Sequence, residues 1–63
     1  MSNRYVVKSQ SGLGKDGKRI ERGVGVWDTK ENKWINNHTF LDNSKGKATA
    51  RKICHAKNMR DNA

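Results

Sequence analysis

The segment from Ser44 to Arg60 places the strongest constraint on the fold, because it is the one stretch with a helical pattern of apolar residues. Ala50, Ile53 and Cys54 fall at positions i, i+3 and i+4, and the stem of Lys57 at i+7 extends the same side. A stripe this narrow does not stabilise a helix standing alone, so we expect it to pack against a second layer.

Polar residues mark both ends of this predicted helix. Asp42, Asn43 and Ser44 each carry a side-chain oxygen that can accept a hydrogen bond from a free amide of the first turn. Gly46 weakens that turn by about 1 kcal/mol relative to alanine. Asn58 is a suitable residue for the helix to end on.

Three runs of β-forming residues precede the helix. They are rich in β-branched and aromatic residues and cover residues 4–8, 18–27 and 34–41. Residues 9–17 are rich in glycine and predict a flexible connection, and residues 28–33 predict a hairpin turn. Within the third run neither face is wholly apolar, so the pattern leaves open which face meets the core.

The second run alternates most regularly. Ile20, Val24 and Val26 share one face, which we expect to be buried. Gly23 and Gly25 lie on the other face, where the missing side chains permit a bulge or the close approach of another backbone.

The sequence therefore predicts an α+β fold, a three-stranded antiparallel meander with one C-terminal helix packed on one face (β-β-β-α). In topology alone this order resembles DNA-binding modules of the AP2 and integrase-arm kind, whose sheets enter a groove of the DNA. No motif of those families is identifiable in the chain, so the resemblance assigns no role to any residue.

Few large apolar residues are available for the core. We expect Trp34 to be a core residue, because a buried aromatic ring supplies much of the area that so small a core needs. For Trp27 the sequence leaves two possibilities open. The ring is either part of the core or exposed, where it could stack on a base. Tyr5 and Phe40 are expected to pack rather than to stack on bases.

The chain has 63 residues, which is enough for one small domain (1–63) with one core. A chain of this length buries only ~60% of its unfolded surface, so its stability is expected to be marginal. We expect order over about 4–58 and frayed ends at 1–3 and 59–63. The single cysteine, Cys54, excludes an intramolecular disulfide and favours a reducing, cytoplasmic setting.

The formal net charge is +8, and such an excess favours polyanionic partners. Two basic clusters stand out. The acid-free helix contributes the candidate phosphate contacts Lys45, Lys47, Arg51 and Lys52. A second cluster surrounds the first connection and comprises Lys8, Lys15, Lys18, Arg19 and Arg22, of which Arg19 and Arg22 are the main candidates.

Three further residues are candidate base contacts. Asn36 and His38 lie in an unusually polar strand beside basic residues, and Asn can read adenine in the major groove. Trp27 can stack on a base if it is exposed. The alternative interpretation of these residues is structural: the helix cations form an ordinary solvated helix face, and the polar strand is simply exposed to solvent. Together these features predict a small basic nucleic-acid-binding protein that contacts DNA in preference to RNA.

No pattern in the chain indicates catalysis, a metal or a cofactor. Cys54 and His55 are adjacent and point to different sides of the helix, and no CxxC or HxxxH pair is present. The stretch 12–18 resembles a phosphate loop only superficially, because the Ser or Thr and the following helix are missing. The carboxylates are scattered among turns and ends.

A second hypothesis belongs to a different class of protein. A small adaptor or inhibitor of the kind that phages encode could dock on an acidic surface of a host protein, with its basic face steering association. Trp27 or Met59 would then anchor the contact. No apolar run approaches the ~20 residues of a membrane span, so no membrane partner is expected. The oligomeric state is left open.

Overall fold

The computed structural model describes residues 4–61, in which four strands precede one helix. The strands are β1 (Tyr5–Leu13), β2 (Arg19–Asp28), β3 (Lys33–Trp34) and β4 (Phe40–Leu41), and the helix is α1 (Ser44–Asp61). All strand pairs are antiparallel, and β2 is central, with β1 on one edge and β3 and β4 on the other. The predicted α+β fold with one C-terminal helix is confirmed.

The first connection is shorter than the sequence predicts. Strand β1 continues to Leu13, because residues 9–13 pair with β2 through backbone groups, with a register shift between Gln10 and Gly12. The turn itself is closed by the Gly14 amide, which donates to the Lys18 carbonyl at 2.8 Å. Gly17 adopts φ 84°, a conformation that glycine takes without strain. The prediction of a flexible connection over 9–17 is thus wrong for residues 9–13, which belong to β1.

The predicted third strand is interrupted. Residues 35–39 leave the ladder between β3 and β4, although both short strands pair with β2. The side-chain oxygen of Asn36 accepts a hydrogen bond from the Val26 amide at 3.0 Å. A polar side chain therefore replaces a backbone partner, which period-two patterning does not reveal.

The glycine face of β2 is covered by the segment that leaves the ladder. A Cβ atom on Gly23 would collide with the Phe40 carbonyl oxygen and the Thr39 methyl group. A Cβ atom on Gly25 would meet the side chains of Gln10 and Asn36. The predicted close approach of another backbone to this face is confirmed at Gly23.

The core lies between the other face of β2 and α1. Val24, Val26 and Ala50 are buried, and six partly buried residues pack around them: Tyr5, Val7, Ile35, Phe40, Ile53 and Cys54. The predicted helix stripe of Ala50, Ile53 and Cys54 is confirmed, as is the packing role of Tyr5 and Phe40. Lys57, by contrast, is exposed.

Trp34 is not a core residue, and the prediction that it would be is wrong. It pairs with Trp27 across β2 and β3, so both rings lie on the sheet face opposite Val24 and Val26. The two rings pack edge to face with centroids 5.0 Å apart. The small aliphatic residues of β2 fill the space beneath the helix, so the larger rings pack on each other and stay half-exposed.

Asn43 caps the helix, as one of the three predicted cap residues. Its side-chain oxygen accepts a hydrogen bond from the Gly46 amide at 2.8 Å. Gly46 has a role that the sequence did not indicate, because a Cβ atom there would collide with the Leu41 carbonyl. The helix also continues past Asn58 to Asp61. The predicted helix end at Asn58 and the predicted fraying of residues 59–61 are therefore wrong. The other residues predicted to fray, 1–3 and 62–63, lie outside the described part of the chain.

Candidate nucleic-acid interface

Three segments that are distant in sequence meet around one open groove. They are the tip of the β1–β2 hairpin (14–20), the segment that leaves the ladder and returns as β4 (35–41), and the cap and first part of α1 (43–53). We call this the tip groove. The groove exists because the Gly23 position lets residues 39–40 lie against β2 and Gly46 lets α1 start directly against β4.

Cations line the rim of the tip groove. Lys15, Lys18 and Arg19 come from the hairpin and Lys45 comes from the first turn of α1, and all four are exposed. Among residues 4–61, none of these four forms an ion pair within 4 Å. One carboxylate, Asp16, also lines the groove, and it accepts a hydrogen bond from the Lys18 amide at 3.0 Å. The positive charge of the rim is therefore available to an anionic ligand.

Five apolar residues also line the tip groove, and we call them its floor: Ile20, Ile35, Phe40, Leu41 and Ile53. The side chain of His38 lies edge to face on Phe40, with ring centroids 4.9 Å apart. Leu41 is 55% exposed. The site thus combines an apolar floor with a cationic rim.

The tip groove contains four of the predicted site residues, namely Arg19, Lys45, Asn36 and His38. Lys15 and Lys18 belong to the predicted second basic cluster and also line it. The floor residues were not predicted as site residues. Their sequence signals are those of ordinary strand and helix packing, and only the fold brings them together.

Asn36 has no hydrogen-bond donor left for a base. Its amide nitrogen donates to the Gln10 side-chain oxygen at 2.8 Å and to the His38 carbonyl at 2.6 Å. Bidentate reading of adenine needs one donor and one acceptor from the same amide. We therefore assign Asn36 a structural role, which is to hold residues 36–38 against the sheet.

The remaining helix candidates lie outside the tip groove. Lys47 pairs with Asp42 at 3.3 Å, and both side chains are about half exposed (48%). Arg51 lies about 120° around the helix from Lys45, at about 100° per residue. Lys52 is exposed on the same side as Lys45, one heptad away. These cations widen the positive surface of α1 without converging on the groove.

Arg22 and Trp27 lie on two other surfaces. Arg22 lines a shallow depression with Ser9, Gln10, Ser11, Glu21, Gly23 and Asp42, where two carboxylates offset its charge. Trp27 is half-exposed, and the Lys8 ammonium lies 4.9 Å from its ring centroid. A cation already occupies one face of the Trp27 ring, which leaves less of it for a base.

At the opposite end of the sheet a paired cluster holds the chain together; we call it the Arg4 clamp. The guanidinium of Arg4 donates two hydrogen bonds of 2.9 Å to the carboxylate of Asp28, which is only 2% exposed. Arg4 also pairs with Asp61 at 3.1 Å and lies 3.8 Å from Glu31. The clamp therefore joins the residue before β1, the end of β2, the following turn and the end of α1.

Hydrogen bonding sets the charge state of the clamp. Arg4 lowers the pKa of Asp28 to about 2, and the amides of Glu31 and Lys30 lower it further against the opposing effect of burial. Hydrogen bonds from Arg4 to Asp28 and then to Asp61 raise the pKa of the guanidinium above its usual range. Both groups stay ionised at neutral pH and are held by several partners within the clamp.

Asn58 fastens the helix to the edge of β1. Its side-chain oxygen accepts from the Tyr5 amide at 2.9 Å and its nitrogen donates to the Tyr5 carbonyl at 3.0 Å. The Cys54 thiol donates to the same carbonyl at 3.0 Å, and burial raises the pKa of this thiol. The sequence predicts only a helix end at Asn58, because nothing local shows that its amide pairs with a strand.

No family model, curated protein or solved structure matches the chain. Within residues 4–61, no group of three or more His, Cys, Asp or Glu side chains could hold a metal ion. Over the same range, no helix has both the length and the apolar character needed to cross a membrane.

Proposed function

We propose that the protein is a small, non-enzymatic nucleic-acid-binding protein that contacts phosphates through the first hairpin and helix α1, with DNA preferred over RNA. The tip groove is its central site, and the exposed cations Arg51 and Lys52 extend the contact along the helix. Base contacts come from His38 in the groove and, more weakly, from Trp27 on the separate sheet face.

The observation that carries this proposal is the convergence of four cations on one groove. Lys15, Lys18, Arg19 and Lys45 come from two separate segments and have no ion-pair partner among the described residues. The overall net charge of +8 adds long-range attraction to polyanions. Each phosphate that a cation neutralises on duplex DNA contributes about 0.9 to the slope of log affinity against log salt.

The test is fluorescence anisotropy with labelled duplex DNA, single-stranded DNA and RNA at ~50 and ~200 mM salt, because multiple phosphate contacts weaken by orders of magnitude over this range. We expect binding at the lower salt and a steep loss at the higher salt. The variant with alanine at Lys15, Lys18, Arg19 and Lys45 should bind weakly, with a salt slope reduced by up to about 3.6 on duplex DNA.

A matched variant distinguishes the effect of the groove on affinity from the effect of net charge. Alanine at Lys30, Lys33, Lys57 and Arg60 removes the same four positive charges, so both variants fall from +8 to +4, but none of these residues lines the groove. If the groove is the site, this second variant keeps most of its affinity. Equal losses in the two variants would show nonspecific attraction to a basic protein, and no binding by the wild type would refute the proposal.

Exposed apolar residues favour one alternative, a small adaptor that docks on an acidic protein surface. Met59 is 62% exposed on the last part of α1, beside the basic residues Lys57 and Arg60. Such a residue could anchor a contact that the net charge steers. Capture of one stoichiometric acidic protein that resists nuclease and is lost in Met59→Ser would favour this alternative.

A further inference from the structure

We propose that the tip groove selects a single nucleic-acid strand over a duplex, by seating an unpaired base on its apolar floor while the rim cations hold the flanking phosphates. The inference rests on the proposed function and deepens it, because it names the class of nucleic acid that the same site accepts.

The shape of the site carries the first part of the argument. A duplex is read by an element that projects into its groove, and the major groove is about 12 Å wide and about 8.5 Å deep. The tip groove is instead concave, with its floor between the hairpin, residues 35–41 and α1. Base edges of a duplex are recessed within its own grooves and cannot reach such a floor. An unpaired base can turn into it.

The chemistry of the floor carries the second part. Phosphates alone need no apolar surface, yet Phe40, Ile20 and Leu41 line the same groove as the rim cations, and Leu41 is 55% exposed. A base has an apolar face that packs on aromatic or aliphatic groups and a polar edge. His38 packs edge to face with Phe40 and supplies ring nitrogens in the groove. The single strand is the nucleic acid that offers both a free base and its phosphates.

Rim and floor make different contributions to the salt dependence, which gives a specific signature. Each rim cation that neutralises a phosphate of a single strand adds about 0.7 to the salt slope, so four add about 2.8. The floor carries no charge and adds nothing to that slope. Removing a floor side chain should therefore lower single-strand affinity by the same factor at every salt concentration.

The experiment measures affinity for a labelled oligonucleotide, as a single strand and annealed to its complement, over a series of salt concentrations. The variants are Leu41→Ser in the floor and Leu13→Ser as the matched control, since Leu13 is 62% exposed and does not line the groove. Unchanged melting temperatures show that both variants are folded. His38→Ala is the second variant, because the His38 ring lines the groove and packs on the floor residue Phe40.

We expect the wild type to bind the single strand at least about tenfold more tightly than the duplex. We also expect Leu41→Ser and His38→Ala each to weaken single-strand binding about fivefold or more with an unchanged salt slope, as loss of a base-packing side chain does. Leu13→Ser should bind like the wild type.

Two results would overturn the inference while leaving salt-dependent binding in place. One is duplex binding as tight as or tighter than single-strand binding, which would favour insertion of α1 into the major groove. The other is equal behaviour of Leu41→Ser and Leu13→Ser. Absence of binding to either nucleic acid would overturn the proposed function and the inference with it.

Discussion

The two ends of the sheet use charged residues in opposite ways. At the Arg4 clamp, a guanidinium and the carboxylates Asp28 and Asp61 satisfy one another. At the tip groove, four cations share a rim with one carboxylate and form no ion pair within the described residues. Paired charges connect elements of the fold, whereas unpaired charges that converge from separate segments remain available to a ligand. Formal net charge alone does not distinguish the two.

The largest expected effect comes from breaking the clamp. Asp28→Ala removes the carboxylate that accepts two hydrogen bonds from Arg4 and two from the amides of the following turn. In a domain this small we expect this substitution to cost more thermal stability than the loss of any exposed side chain, because several donors lose their partner at once. Thermal unfolding followed by circular dichroism measures it.

The control for this variant is Asp16→Ala at the other end, where the carboxylate accepts one hydrogen bond from an exposed turn amide. The free energy of unfolding should fall by no more than about 1 kcal/mol there. If the two variants lose equal stability, the contrast between the two ends is incorrect.

Acidification should weaken the clamp without a mutation. The pKa of Asp28 is about 2 in the folded protein and 3.8 in its ordinary state, so the ionised carboxylate stabilises the fold above pH 3.8. That stabilisation is lost as the pH falls from about 4 towards 2. Melting temperatures at pH 5, 4, 3 and 2 should show this decline for the wild type, and Asp28→Ala should lack its share of it. If the wild type and Asp28→Ala showed identical pH profiles, Asp28 would not be the cause of the decline.

Gly46→Ala should destabilise the protein, although alanine normally stabilises a helix interior by about 1 kcal/mol. The added methyl group would collide with the Leu41 carbonyl, and overpacking of this kind costs about 1–3 kcal/mol. Chemical denaturation measures the change. Ala is already present at position 48, so Ala48→Gly is the matched test of helix propensity alone and should cost about 1 kcal/mol. A stabilised Gly46→Ala variant would contradict the packing of α1 on β4.

The smallest stability effect is expected for the groove cations. Each single alanine substitution at Lys15, Lys18, Arg19 or Lys45 should change the free energy of unfolding by no more than about 0.5 kcal/mol. These side chains are exposed and, within the described part of the chain, form no ion pair that would stabilise the fold. The same denaturation experiment checks this. A loss comparable to that of Asp28→Ala would show that these cations are structural, and it would remove the reason for assigning them to a ligand.

The sequence predicted much of the fold and part of the site. The order β-β-β-α, the helix stripe of Ala50, Ile53 and Cys54 and the cap at Asn43 all follow from local patterns. The long first strand and the interrupted third strand did not, since backbone pairing with β2 extended one and the Asn36 side chain displaced the other.

Trp34 shows why burial was harder to predict than secondary structure. A large aromatic ring is a sound candidate for a small core, yet the space beneath α1 is filled by Val24, Val26 and Ala50. Which face of a sheet the helix covers depends on the whole register, and a mixed polar pattern does not fix it.

Composition and local periodicity determined what depends on neighbours in sequence: the excess of positive charge, the helix, the central strand and the requirement for a second layer. Only the tertiary structure decided which charges are paired and which converge. Arg4 contacts Asp28 and Asp61, which are 24 and 57 positions away in the sequence. Lys45 lines the same groove as residues of the hairpin tip. These arrangements follow from strand register and helix docking, which are properties of the assembled core rather than of any local segment.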